Sequence, residues 1–246
     1  MNRILVFTDG ASSGNPGPGG WGSIVLLPNG EVTELGGSAK HTTNNRMELA
    51  ATIEALLWIT SQDSLKTPKK IPIQLYTDST YVIRGITQWV SQWVKRGWIS
   101  TQGTEIANSD LWKALAEAAS GLNISWNYVK GHAGVPGNER VDEIAVSFSK
   151  GKKPRLYEGP LSKYEIKIEK VATTPLPKGA PSSAKSSKAF SYLSVVNGIP
   201  MRHSTWADCE KRVKGQSGAK FKKAMTPLEE EAILETWGLD RRHLKN

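Results

Sequence analysis

The chain has 246 residues, a formal net charge of +9 and a single cysteine, Cys209. This length suits one large domain, or one domain with a small module, and a lone cysteine excludes an internal disulfide framework. No apolar run is long enough to span a bilayer, and the first residues lead into a predicted strand rather than a signal peptide. We therefore expect a soluble cytoplasmic protein with no membrane partner.

The charge is unevenly distributed along the chain. Residues 1–150 hold 13 basic and 13 acidic residues, so the whole positive excess lies in residues 151–246. A concentrated basic segment favours a polyanionic partner, nucleic acid first. A solvated tail without any partner would have the same composition.

The first third of the chain predicts three antiparallel strands over residues 3–8, 21–27 and 31–40. The second and third are joined by Pro28-Asn29-Gly30, a strong hairpin signal. Residues 17–22 match the pattern GxGxxG of dinucleotide-binding loops. That interpretation requires a helix directly after the motif, whereas a strand is predicted here, so we reject it.

Helices and two more strands follow in alternation. Residues Leu49, Ile53, Leu56 and Leu57 predict an amphipathic helix that begins near Asn44. Residues 71–77 and 122–130 predict strands, and helices are expected from near Ser79, over 109–119 and over 138–150. This alternation of strands and helices predicts an α/β fold.

Four carboxylates occupy comparable places in this pattern. Asp9 and Asp78 stand where predicted strands end, and Glu48 and Asp142 stand beside the apolar stripes of helices. Each has an ordinary explanation, such as a favourable charge near a helix N-terminus for Glu48 and a solvated helix face for Asp142. Together they would repel one another, and such clusters are kept chiefly to hold hard cations such as Mg²⁺.

The motifs around these carboxylates resemble bacterial type 1 ribonuclease H. They are Thr8-Asp9-Gly10-Ala11-Ser12, Asn44-Asn45-Arg46-Met47-Glu48-Leu49, Thr77-Asp78-Ser79, Val129-Lys130-Gly131-His132-Ala133-Gly134 and Asn138-Glu139-Arg140-Val141-Asp142. The resemblance covers residues 1–150. It implies a ribonuclease H-like fold with a five-stranded mixed sheet flanked by helices. It also implies endonucleolytic cleavage of the RNA strand of RNA/DNA hybrids, which leaves 5′-phosphate and 3′-hydroxyl ends.

The resemblance also implies roles for individual residues. Asp9, Glu48, Asp78 and Asp142 match the family's ligands for two Mg²⁺ ions, for which Mn²⁺ is a possible substitute. His132 matches a loop histidine that assists proton transfer or product release. Residues that match hybrid contacts are Asn15, Asn44 and Asn45, together with Trp89 and Lys95 in the segment 89–98 that matches a substrate-binding protrusion. For the tryptophans of that segment, packing is the competing explanation.

The composition changes after residue 150. We expect a catalytic domain over residues 1–160, a flexible basic linker over 161–188 and a small α+β module over 189–246. Residues 164–168 alternate like a short strand. The linker interpretation depends on the Pro, Ser, Ala and Lys residues between 173 and 188.

The module combines aromatic side chains with basic ones, a composition typical of sequence-tolerant nucleic-acid binding. Trp206, Lys220, Phe221, Lys222 and Lys223 are its candidate binding residues, and Cys209 is expected to pack in its core. Residues 190–238 resemble the hybrid-binding, or viroplasmin-like, domain of ribonucleases H1. That family usually places the domain at the N-terminus. A module that serves only packing is the alternative.

These observations predict a Mg²⁺-dependent ribonuclease H whose C-terminal module holds RNA/DNA hybrids and raises affinity and processivity. We expect a monomer with no obligate protein partner. Two alternatives remain open: a non-catalytic hybrid-binding protein, and a nuclease of the same fold that acts on DNA.

Overall fold

The computed structural model describes residues 2–63, 65, 70–101, 103–169, 171, 173–177, 190–224, 227–239 and 244. Two compact units make up the chain: unit 1, Met1–Pro177, and unit 2, Lys178–Asn246. Each unit contains a β-sheet of its own. Among the described helices, none has the length and apolar character needed to cross a membrane.

The sheet of unit 1 is mixed and has six strands in the order β5-β4-β1-β2-β3-β6. The strands are β1 (Ile4–Ser12), β2 (Gly17–Leu26), β3 (Glu31–Thr42), β4 (Ile73–Thr77), β5 (Ile124–Tyr128) and β6 (Glu158–Pro160). The antiparallel β1-β2-β3 meander is confirmed. The predicted count of five strands is wrong by one, because residues 158–160 pair with the start of β3.

Five α-helices accompany this sheet: α1 (Asn44–Thr60), α2 (Thr80–Arg84), α3 (Val90–Lys95), α4 (Ser109–Ala118) and α5 (Pro136–Ser149). A π-helical turn, Gly85–Trp89, joins α2 to α3. One core cluster joins α1 and α4 to one face of the sheet, and a second joins α5 to the other face. The ribonuclease H-like fold class predicted from the sequence is confirmed.

Strand β1 is buried on both faces, which explains its continuous apolar sequence. Ile4 and Val6 belong to the cluster beneath α1, whereas Leu5 and Phe7 belong to the cluster beneath α5. The strand continues to Ser12, beyond its predicted end at residue 8. Asp9 therefore lies within β1 rather than at its end.

The glycine-rich segment forms part of β2 and is not a phosphate-binding loop, as expected. Helix α5 packs closely over it, and a Cβ atom at Gly22 would lie 2.6 Å from the carbonyl oxygen of Val141. The absence of a side chain thus lets the helix approach the strand.

A second close approach joins β1 to the start of α1. A Cβ atom at Gly10 would lie 2.2 Å from the backbone nitrogen of Glu48 and 2.8 Å from the Cβ of Met47. Glycine at this position lets the helix that carries Glu48 lie directly on the strand that carries Asp9.

Unit 1 continues well beyond the expected domain boundary at residue 160. Tyr164 donates a hydrogen bond from its hydroxyl to Glu34 Oε1 at 2.7 Å, and Ile168 is only 1% exposed. The described residues between 161 and 177 therefore belong to unit 1, although we expected a flexible linker from residue 161. Residues 164–168 are not a strand, since the chain there has no sheet partner. Residues 178–188 of the expected linker lie outside the described residues.

Unit 2 is a small α+β module, as predicted. It contains β7 (Ser191–Val196), β8 (Ile199–His203), α6 (Trp206–Val213), β9 (Lys220–Ala224) and α7 (Pro227–Thr236), and its sheet order is β8-β7-β9. Leu193, Ala224, Ile233 and Leu234 form its core. Cys209 is fully buried and packs as expected.

Candidate active site

Parallel pairing of β1 with β4 brings the two aspartates together. Phe7 is the register partner of Tyr76, and Asp9 and Asp78 each follow two residues later. The carboxyl ends of parallel neighbours meet at one edge of a sheet, which is where open α/β sheets bind ligands. Glu48 reaches the same edge from the first turns of α1, and Asp142 does so from α5.

Asp9 is the most strongly perturbed of the four carboxylates. Only 7% of its surface is exposed. Burial raises its pKa to about 9, with further contributions from the negative charges of Asp78, Glu48 and Asp142. The Gly10 amide donates to Asp9 Oδ1 at 2.7 Å and offsets part of that rise. The four carboxylates therefore form one interacting group.

Glu48 is held at both carboxylate oxygens by neutral donors. Ser79 Oγ donates to Oε2 at 2.5 Å, and Asn44 Nδ2 donates to Oε1 at 3.0 Å. Burial raises the pKa of Glu48 to about 7 against the lowering effect of these two bonds. Ser79 also caps α2 by accepting from the Val82 amide, so the helix that follows Asp78 is fixed to Glu48.

Asp78 receives a hydrogen bond from helix α5. Asn138 Nδ2 donates to Asp78 Oδ2 at 3.3 Å. The Asn138 side chain is buried, and its Oδ1 atom has no hydrogen-bond partner among the described residues. Burial raises the pKa of Asp78, and Asp142 raises it further, whereas the nearby His132 lowers it. His132 itself is exposed, with a backbone φ of 52° at the head of its loop.

The donor chemistry of this group fits a hard divalent cation. All of its ligand atoms are carboxylate oxygens, which Mg²⁺ prefers, and the ion pairs of the described residues include none of the four carboxylates. Within the described part of the chain, however, no three His, Cys, Asp or Glu side chains are gathered tightly enough to hold an ion as they stand.

The residues predicted to contact nucleic acid in unit 1 fall into two groups. Asn15 and Asn44 lie beside the carboxylates, since the Asn44 amide donates to Asn15 Oδ1 at 3.4 Å, and Asn45 adjoins them in α1. Trp89 is instead half-buried, with its ring centroid 6.1 Å from that of Tyr81 and 5.6 Å from that of Trp93. These contacts support packing for Trp89, while Lys95 is exposed at the end of α3.

In unit 2 the predicted binding residues surround a row of aromatic rings. The centroid of Trp206 lies 5.5 Å from Phe221 and 5.9 Å from Tyr192. Trp206 is 40% exposed and Phe221 is 51% exposed. Because side chains alternate along β9, Lys223 shares the face of Phe221, whereas Lys220 and Lys222 leave the strand on the other face.

Comparisons with known proteins agree with this geometry. The RNase H family model matches residues 1–150, which is more than half of the chain. The chain belongs to the RNase H family. A second family model, described as the ribonuclease H1 N-terminal domain, matches residues 203–227 in unit 2. The resemblance found in the sequence is thus confirmed for both parts.

Individual relatives support the family assignment. A ribonuclease H of Cyanothece sp. is 47% identical over 151 residues, which cover 61% of this chain and 92% of that protein. Ribonuclease HI of Pseudomonas aeruginosa is 48% identical over 143 residues, which cover 58% and 90%. The crystal structure of LC9-RNase H1, a type 1 RNase H with the type 2 active-site motif, is 32% identical with a TM-score of 0.56, and covers 66% and 80%. This RNase H is accordingly a hydrolase with nuclease activity.

Sequence reasoning missed three residues of these sites. Ser79 and Asn138 were noted only as parts of motifs, yet both hold candidate ligands in place. The signal for each was its position: Ser79 follows Asp78 directly, and Asn138 lies one helical turn before Asp142. Tyr192 extends the aromatic row of unit 2, and only the pairing of β7 with β9 shows this.

Proposed function

We propose that this RNase H hydrolyses the RNA strand of RNA/DNA hybrids at the four-carboxylate site, leaving 5′-phosphate and 3′-hydroxyl ends. Asp9, Glu48, Asp78 and Asp142 would hold two Mg²⁺ ions, and Mn²⁺ is a possible substitute. Bound there, the ions would activate water and stabilise the charge on the leaving oxygen. The single observation that carries the proposal is the gathering of four carboxylates at one edge of the sheet, where the buried Asp9 interacts with Asp78, Glu48 and Asp142.

The chain's own groups prepare the site for this chemistry. Ser79 and Asn44 hold Glu48, and Asn138 holds Asp78, so these ligands are oriented before substrate arrives. His132 lies close enough to Asp78 to lower its pKa, and it is exposed at the mouth of the site. We assign to it the transfer of a proton at the leaving oxygen or the release of product.

Recognition of the RNA strand requires contact with its 2′-hydroxyl groups, which DNA lacks. The amides of Asn15, Asn44 and Asn45 stand beside the carboxylates and offer both donors and acceptors for this purpose. Because contacts with sugar and phosphate carry no sequence information, we expect cleavage with little sequence preference.

Unit 2 supplies affinity in this proposal. Trp206 and Phe221 offer exposed aromatic faces for stacking, and Lys220, Lys222 and Lys223 offer charge to phosphates on both sides of β9. A tethered second binding site raises the effective substrate concentration, to about millimolar for short flexible linkers. Processivity should therefore depend on unit 2.

The test is a cleavage assay of the full chain on matched RNA/DNA, RNA/RNA and DNA/DNA duplexes with Mg²⁺ or Mn²⁺. We expect cleavage of the RNA strand of the hybrid alone. Hybrid binding without cleavage would support a non-catalytic binding protein, and cleavage of the DNA duplex would support a DNA-acting nuclease of the same fold. We also expect a cytoplasmic monomer, which light scattering and cell fractionation would test.

A further inference from the structure

The strap, as we name the described residues 158–169, 171 and 173–177, lies beyond the region matched by the RNase H family model, which ends at residue 150. The strap begins as β6, paired with β3 at one edge of the sheet. It ends at the opposite edge, where the Thr174 amide donates to the carbonyl oxygen of Tyr128 in β5 at 3.1 Å. The strap therefore crosses the sheet from edge to edge.

The strap completes the core on the α5 side of the sheet. Ile168 is buried in the same cluster as Leu5, Phe7 and Val141, and Leu161, Tyr164 and Ile166 pack against that cluster. Val141 directly precedes Asp142. The apolar contacts of the strap thus reach the helix that carries one of the four carboxylates.

A buried carboxylate outside the active site joins the strap to that helix. Glu34 of β3 accepts from Arg140 Nε at 2.8 Å, Arg140 Nη2 at 2.9 Å, the Tyr157 amide at 3.0 Å and the Tyr164 hydroxyl at 2.7 Å. Burial alone would raise the pKa of Glu34, but the bonds from Arg140, Tyr164 and Tyr157 outweigh it and lower the pKa. Glu34 is therefore ionised, and both of its carboxylate oxygens accept two hydrogen bonds.

Arg140 connects Glu34 to helix α5, which carries Asp142. It lies two residues before Asp142 in α5, and its guanidinium also donates to the carbonyl oxygen of Arg155 at 3.2 Å, in the segment leading to the strap. Its hydrogen bonds to Glu34 are bidentate, a geometry that fixes direction as well as distance. Rotation or sliding of α5 would break them.

We propose that the strap is a positioning element of the catalytic unit, and that Glu34 and Tyr164 are positioning residues that set helix α5, and with it Asp142, through Arg140. The inference rests on the proposed place of Asp142 in the active site. It means that the functional unit ends near residue 177 and not at residue 150.

The experiment compares three full-chain variants, Glu34→Gln, Tyr164→Phe and Tyr157→Phe. The first two remove a charge or a donor from the buried centre. Tyr157→Phe is the matched control, because the Tyr157 hydroxyl donates only to Pro160 within the strap, while its backbone amide still serves Glu34. Single-turnover cleavage of hybrid at saturating enzyme, hydrogen exchange of the α5 amides and thermal unfolding are measured for each.

We expect the cleavage rate to fall about tenfold in Glu34→Gln and about threefold in Tyr164→Phe, as loss of a hydrogen bond to a charged group predicts. Exchange of the α5 amides should accelerate in parallel, KM should stay constant, and the control should match wild type. All rates are taken well below each variant's own unfolding temperature, so that a purely stabilising role would leave them unchanged.

Unchanged cleavage and unchanged α5 exchange in Tyr164→Phe would overturn the proposal, even if Glu34→Gln does not fold. A loss of thermal stability alone in both variants would also overturn it. The wild-type protein distinguishes failure of the strap proposal from failure of the proposed function. If wild type does not cleave the hybrid, the proposed cleavage activity is wrong, and hydrogen exchange of the α5 amides still tests the strap.

Discussion

The two units of this RNase H offer different groups to the same proposed polyanion. Unit 1 gathers four interacting carboxylates at the edge of its sheet, and Asp9 among them is buried. Unit 2 carries 13 basic and 7 acidic residues between 178 and 246, and it exposes aromatic rings instead of burying them. The carboxylates that suit hydrolysis of a phosphodiester repel the phosphates of the substrate. Affinity for the hybrid therefore has to come from another part of the chain.

The two units also differ in the hydrogen bonds and ion pairs that their polar side chains make. In unit 1 the donors Ser79, Asn44 and Asn138 fix the direction of carboxylates. In unit 2 the predicted lysines make no ion pair within the described residues. Fixed groups serve a reaction that needs a defined geometry, whereas mobile charges suit phosphates whose positions vary along a helix.

The strongest test of this division removes one charge from unit 1. We expect Asp9→Asn to lower the single-turnover cleavage rate by at least about a thousandfold, because a ligand of the ions that stabilise the transition state is lost. Hybrid affinity, measured by fluorescence anisotropy in Mg²⁺, should stay within about twofold if unit 2 dominates binding. Cleavage near the wild-type rate would show that the carboxylate group is not the reaction centre.

The second test removes the aromatic surface of unit 2. Trp206→Ala with Phe221→Ala should raise KM for hybrid about tenfold or more and leave kcat unchanged, since stacking contributes about 1–3 kcal/mol per base. Phe190→Ala is the matched control, because Phe190 is also 40% exposed but packs its ring against Arg202. An equal effect of both changes would contradict a specific role for the Trp206 and Phe221 surface.

The third test weakens the positioning of a carboxylate without removing it. Asn138→Ala deletes the donor to Asp78 Oδ2, and we expect the cleavage rate to fall about tenfold, the usual cost of a bond to a charged group. The Mg²⁺ concentration for half-maximal rate should rise as well. Asn127→Ala, which loses bonds only to backbone carbonyls of β4 and β5, serves as the control. Equal rates in both variants would remove Asn138 from the site.

The smallest expected effect concerns the pH dependence of unit 2. Burial and the positive charge of Arg212 lower the pKa of His203 from its ordinary 6.5, against a raising effect of Asp208. The unfolded chain therefore takes up this proton first, so stability is full above pH 6.5 and is lost as the pH falls below it.

The loss should be less than about 1 kcal/mol and should disappear in His203→Gln. Urea unfolding followed by NMR signals of unit 2, on both sides of pH 6.5, measures it. The same pH slope in the variant would exclude His203 as its source.

The sequence predicts the elements of this molecule better than their limits. The apolar run 4–7, the hairpin at Asn29-Gly30 and the helix that begins near Asn44 are all confirmed, because each depends on local periodicity or turn chemistry. The extension of β1 to Ser12 and the start of β2 at Gly17 were missed. Small residues there look like a loop, and only pairing across the hairpin makes them strands.

The parts that escaped prediction depend on long-range contacts. The four carboxylates stand out in the sequence because they share positions beside predicted strands and helices, but the bonds from Ser79 and Asn138 join segments that are 31 and 60 residues apart. The sequence predicts a linker from residue 161 for the same reason. Tyr164 in that range is held by its bond to Glu34, which lies 130 residues earlier in the chain.

Gly10 sets a limit on how this reaction centre can be altered. Its hydrogen atom faces the backbone of Glu48, and a single methyl group there has no room. Alanine would add no charge, remove no ligand and break no hydrogen bond of its own, yet it would push α1 away from β1 and separate two carboxylates. The distance between the two carboxylates thus depends on a space beside Gly10 that has to stay empty.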